Sequence, residues 1–140
     1  MKNVKYNQVA FQVPESWIDE SMIVWTGPKK KSVAPTICIA HSEYTSDQSF
    51  EAYASDQQKE LMNAVKSYVL HEKVETTFQD CQCIKTKHSW KGEGPRITQL
   101  QYTILTKENV LLAATCTHLT AEFDQSGELF IEMLNSLEIL

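Results

Sequence analysis

The chain has 140 residues, 42% hydrophobic and 22% charged, with four Gly and four Pro, a composition that excludes intrinsic disorder and low complexity. Thirteen Lys and Arg against 18 Asp and Glu give a net charge of −5, so no general basic field draws phosphates and nucleic acid is not an expected partner. The length predicts one domain over residues 1–140, and a compact monomer of this mass exposes about 7,400 Å².

Met1 to Ala10 mix Lys2, Asn3, Lys5, Asn7 and Gln8 with isolated apolar residues, without the apolar core of a signal peptide. The longest apolar run, Val110 to Ala114, is far short of the roughly 18 residues that span a bilayer. A cytoplasmic protein with no direct membrane insertion is expected. Cys38, Cys81, Cys83 and Cys116 are irregularly spaced and read as small hydrophobic residues or free thiols. Cys81-Gln82-Cys83 with His88 has too short a gap for a zinc pair, so no metal is expected.

Val4 to Val13 is rich in strand formers and stops at Pro14, which lacks the N–H a ladder needs. Ser21 to Thr26 and Thr36 to Ser42 are the next strands, separated by Gly27-Pro28 and Lys29-Lys30-Lys31, the lysines forming a solvated hairpin loop. From Ser49 to about Tyr68 the period becomes helical, with Phe50, Tyr53, Ala54, Leu61, Ala64, Val65 and Tyr68 on one stripe and Ser46, Asp47 or Ser49 as the cap. Gln57 interrupts that stripe, either at its edge or for a specific purpose. Strands over Val69 to Phe78, Gln82 to Trp90, Ile97 to Thr106 and Val110 to His118 follow, punctuated by Asp80, Gly92-Glu93-Gly94-Pro95 and Lys107-Glu108-Asn109. A helix beginning between Thr120 and Ser126 closes the chain near Asn135. The order predicts an α+β sandwich, a mainly antiparallel sheet with two helices packed on one face.

Period-2 sorting shows too many apolar residues for a single covered face. Gln82 to Trp90 sorts simply, Ile84 and Trp90 against Lys85, Lys87 and Lys91. Met22 and Val24 instead alternate with Ile23 and Trp25, Ile37 and Ile39 with Cys38 and Ala40, and Leu112 and Ala114 with Leu111 and Ala113. Leu100, Tyr102 and Ile104 form a core face, with Ile97, Gln99, Gln101, Thr103 and Leu105 opposite. Loops, a dimer mate or another helix covers the second face, or it is an interaction surface. The pattern leaves these open.

The four histidines are scattered, no nucleophile elbow or metalloprotease pair occurs, and Gly92-Glu93-Gly94-Pro95 precedes a strand instead of a helix. An enzyme is not expected, and no cofactor is implied.

Phe11-Gln12-Val13-Pro14-Glu15-Ser16-Trp17-Ile18-Asp19-Glu20-Ser21, then Tyr53 with Gln57 and Leu61, Trp90, and Gln99-Leu100-Gln101 together resemble the ordered blocks of the DcrB-related family, whose fold is similar to Mog1 and PsbP proteins. Ala40-His41-Ser42 stands where that family often carries Asn-Arg-Asp, and Asp56 where it has a basic residue. The stand-alone length and absent signal resemble its Eag branch of cytosolic chaperones, which hold the N-terminal transmembrane helices of type VI secretion effectors, PAAR-containing proteins, before export. The resemblance implies a concave hydrophobic groove on the second sheet face, with Met22, Val24, Ile37 and Ile39 as its apolar floor, Gln57, Gln99 and Gln101 as its amides, and a homodimer. A structural or regulatory homodimer and a small apolar-ligand-binding module are the alternatives from other classes.

Overall fold

A computed structural model describes residues 1–29 and 33–140; Lys30 and Lys31 of the expected lysine loop lie outside them. The described residues form β1 (Lys2–Tyr6), β2 (Val9–Val13), β3 (Met22–Thr26), β4 (Thr36–Glu43), α1 (Phe50–Ala64), β5 (Lys66–Phe78), β6 (Cys81–Lys91), β7 (Arg96–Leu105), β8 (Val110–Leu119) and α2 (Thr120–Asn135). The architecture is α+β, with every strand pair antiparallel.

The expected first strand is a hairpin. β1 and β2 pair with each other, and Asn7 turns the chain at φ 53°, a conformation asparagine tolerates better than most residues. The other six strands make one sheet in the order β3-β4-β8-β7-β6-β5. Left-handed Gln79 and Asp80, at φ 49° and 64°, close the β5–β6 hairpin with the backbone twist its strands require. Between β3 and β4, the Gly27 N–H donates to the Pro35 carbonyl at 2.8 Å. A Cβ on Gly27 would stand 2.9 Å from Pro35 Cγ, so glycine permits the approach.

One sheet face is sealed by α2. The register aligns Ile39, Ala114, Tyr102 and Lys85 across four strands, and the helix lays Phe123, Phe130 and Leu134 on the buried Ile37, Cys83, Tyr102, Ile104 and Cys116. Burial pushes the Cys116 thiol up to about 12 and raises the Cys83 thiol as well, so both stay protonated at neutral pH. Lys85 and Lys87 also lie on this face. Their ammonium groups sit 4.6 Å and 5.1 Å from the Tyr102 and Phe123 ring centroids, so stems that pattern alone would assign to solvent cover the core's margin.

The other helix occupies the opposite face, which corrects the expectation of both on one side. Tyr53, Gln57 and Leu61 of α1 share a cleft with Ile84, Thr86, Gln101, Thr103 and Ala113, all of the strand parity opposite to the α2 core. The physical reason is the doubly apolar sheet, which has two faces to cover. Helix α1 begins at the Ser49 cap, whose hydroxyl accepts from the Ala52 N–H at 3.2 Å, and ends at Ala64. Val65 is already extended and Ser67 is left-handed at φ 54°, which moves Tyr68 from the expected helix stripe onto β5.

Candidate binding groove

Burial classes separate the two faces. On β8, Ala114 and Cys116 are buried under α2, whereas Ala113, Thr115 and Thr117 on the other side are only half-buried. On β7 all of Ile97, Gln99, Gln101, Thr103 and Leu105 are half-buried, and the same holds for Thr36, Cys38 and Ala40 on β4. The register joins them into rows. Val24, Cys38, Thr115, Gln101 and Thr86 form one, and Met22, Ala40, Ala113, Thr103 and Ile84 the next. Helix α1 stands over a cleft of about 300 Å³ whose lining runs from Lys73 on β5 through β6 and β7 to Leu111 and Ala113 on β8. Small side chains on β4 and β8 leave a shallow floor that a helix can approach closely.

Five of the expected site residues meet on this face. Gln99 and Gln101 project from β7, exposed Met22 and Val24 form the β3 margin, and exposed Gln57 lines the cleft from α1. Gln57 makes no side-chain hydrogen bond to the described residues, so its amide is available. Gln101 donates to Thr103 Oγ1 at 3.3 Å. Ile37 and Ile39 are corrected: they face α2, Ile37 inside the core and Ile39 packed against it. On a strand apolar on both sides nothing in the alternation says which set faces which helix. The floor they were expected to supply comes from Cys38 and Ala40, and the Cys38 thiol touches the Met22 sulfur at 3.8 Å.

A hydrogen-bonded chain runs along one end of the floor. Tyr68 Oη is 2.8 Å from His88 Nδ1, His88 Nε2 is 3.3 Å from Gln99 Oε1, and Gln99 Nε2 donates to Thr117 Oγ1 at 3.0 Å. His88 is 4% exposed, and burial holds its imidazole below the usual histidine value, so the ring is neutral at pH 7. Sequence reasoning missed His88, Tyr68 and Thr117. The chain crosses four strands, and only the register reveals that His88 faces Gln99 and Gln99 faces Thr117.

Asp56, where the family pattern has a basic residue, accepts from Gln48 Nε2 at 2.8 Å outside the groove. Among the described residues no set of three His, Cys, Asp or Glu is placed to hold a metal ion, and Cys81 and Cys83 lie on the sheet face opposite to His88. Among the described residues no helix is long and apolar enough to cross a membrane.

The DcrB family model matches residues 9–136. No curated protein matches the chain. Among solved structures, PA94 of Pseudomonas aeruginosa, a protein of unknown function described as a candidate regulator, is similar at a TM-score of 0.84 and 16% identity, covering 100% of this chain and 97% of that one. LpqN of Mycobacterium tuberculosis, involved in cell envelope biogenesis, is similar at 0.57 and 14% identity over 81% of this chain and 80% of its own. Cyanobacterial PsbP from Synechocystis sp. PCC 6803 is similar at 0.58 and 10% identity over 94% and 86%. At these identities the likeness is one of fold.

Proposed function

The chain belongs to the DcrB family, and from that premise we propose that it is a cytoplasmic chaperone that holds the N-terminal transmembrane helices of a type VI secretion effector before loading and export. The observation that carries the reading is the half-open floor beside α1, apolar and small-residue at its β3 end and lined with amides at its β7 end. The ordered blocks around Trp17, Gln57, Trp90 and Gln99 match the DcrB-related family, of which the Eag chaperones are one branch. A transmembrane helix of about 20 apolar residues cannot stay dispersed in water. Burying roughly 500 Å² of it at about 25 cal/mol per Å² gives about 12 kcal/mol of transfer free energy, comparable with the roughly 4–15 kcal/mol that association costs. Holding therefore needs no ATP and no catalytic group. Gln57, Gln99 and Gln101 supply orientation through hydrogen bonds, as polar residues do between membrane helices, while Met22 adapts to differing apolar side chains.

The chaperone acts as a homodimer in this reading. Strand β3 is an edge whose outward residues on both faces are exposed, Met22 and Val24 toward the groove, Ile23 and Trp25 away from it. The groove residues hold cargo and the other pair meets the second copy. Co-expression with the N-terminal apolar segment of a PAAR-containing effector is the test. The segment is expected in the soluble fraction with the wild-type chain, and lost from it with Met22→Asp or Gln99→Asp. Equal solubility without the protein refutes the reading. A regulatory homodimer is the second reading, favoured by the doubly exposed β3; it predicts that the dimer closes both faces and binds little hydrophobic dye.

A further inference from the structure

We propose that His88 is a positioning residue for the groove: it fixes the direction of the Gln99 amide, so that this end of the floor presents hydrogen-bond donors and selects bound helices carrying acceptor oxygens, a Ser or Thr hydroxyl or a freed backbone carbonyl. The inference rests on the helix-holding reading and adds the chemistry by which one helix is told from another.

The direction follows from the amide end of the chain of bonds. Gln99 Oε1 is an amide oxygen and can only accept, so the proton between it and His88, across 3.3 Å, is on Nε2. The buried, neutral ring is then left to accept at Nδ1, and Tyr68 donates its own proton there, 2.8 Å away. The Gln99 carbonyl is thus engaged, and its NH₂ turns to Thr117 Oγ1 at 3.0 Å. Thr117 Oγ1, having accepted, has its proton to give. One N–H of Gln99 and the O–H of Thr117 are left without a protein acceptor among the described residues, on a half-buried floor. Replacing His88 by an apolar residue frees Gln99 to rotate, and the preference for acceptors disappears.

Protonation of His88 does not have that effect: the charged ring donates at both nitrogens, so it loses the bond accepted from Tyr68 but keeps its Nε2–H on Gln99 Oε1. The titratable or charged groups around it are Tyr68, His71 and Lys73 on β5 and Tyr53 on α1; the floor residues facing it from β7 and β8 are uncharged. Selectivity is therefore kept as pH falls through the lowered value of the folded chain, because the donor to Gln99 is present in both forms of the ring.

Two lysine-flanked, fluorescently labelled 20-residue Leu/Ala helices, one with a central Ser and one with Ala there, provide the test by equilibrium binding. The wild-type chain is expected to bind the Ser peptide about three- to fivefold more tightly. His88→Leu and Tyr68→Phe, checked for folding by circular dichroism, should reduce that ratio toward one while the Ala peptide binds as before. His88→Gln, which can accept from Tyr68 and donate to Gln99 through one amide, should keep the ratio. An unchanged ratio in both His88→Leu and Tyr68→Phe, or equal binding of the two peptides by the wild type, overturns the role of His88 and leaves helix holding intact. Failure of both peptides to bind overturns helix holding and this inference with it.

Discussion

Ile37 and Cys38 are neighbours in the chain and end on opposite sides of β4. Ile37 is 7% exposed inside the α2 core, and Val24, which faces Cys38 across the ladder, is 56% exposed. The two therefore differ in energetic role although both are aliphatic residues that the family resemblance places in the groove. Ile37→Ala removes buried methyl groups and leaves a cavity, so urea denaturation should show a loss of about 2–4 kcal/mol. Val24→Ala removes surface already in water and should change stability by no more than about 0.5 kcal/mol, while weakening retention of the effector segment. The reverse result, a stable Ile37→Ala and an unfolded Val24→Ala, would place the faces the other way round. The glutamines obey the same logic with opposite visibility. Gln99 and Gln101 alternate with Leu100 and Tyr102, an unambiguous contrast in the sequence, so their face was legible where that of Ile37 and Ile39 was not.

At the scale of elements, α2 has a residue that works against it. Gly127 lies mid-helix with no positive φ, and a Cβ added there would meet the Phe123 ring at 3.7 Å, an ordinary contact. Glycine in a helix interior costs about 0.5–1 kcal/mol relative to alanine. Gly127→Ala should raise the thermal midpoint by about 2–4 °C, measured by circular dichroism, with effector binding unchanged because α2 lies on the face away from the groove. A lowered midpoint would mean that the Phe123–Phe130 pair, at 5.6 Å between centroids, does not tolerate the methyl group. Most of the elements follow from local chemistry: the Ser49 cap, the Gly27 and Asp80 turns and the period of β7 are all short-range signals. The hairpin β1–β2 and the end of α1 are not so marked. Asn7 is a weak turn signal without a following glycine, and Val65 and Tyr68 continue a helical stripe that the backbone leaves. The side of the sheet each helix takes depends on long-range packing, which the strand patterns constrain only by having two apolar faces to cover.

The whole molecule exposes 9630 Å², well above the roughly 7,400 Å² of a compact monomer of this mass. The excess, about 2,200 Å² on one chain, is well above the roughly 800 Å² that each partner buries in a dimer of standard size. Its sources are concentrated in the first 26 residues, where Tyr6, Phe11, Trp17, Met22, Val24 and Trp25 are between 49% and 71% exposed. Edge strands in monomers are protected by charges, proline or bulges; β3, Met-Ile-Val-Trp-Thr, has none of these. Its alternation divides the exposed side chains between two surfaces, so cargo binding and self-association are separable by mutation. Native mass spectrometry of the wild-type chain should show a dimer, and Trp25→Glu, on the face away from the groove, should shift it to monomer by burying a charge against its symmetry mate. Met22→Asp should leave the dimer in place and abolish effector retention. A monomeric wild type, or a dimer insensitive to Trp25→Glu and dissolved by Met22→Asp, would assign the groove face to the second copy, leaving no open floor for a transmembrane helix.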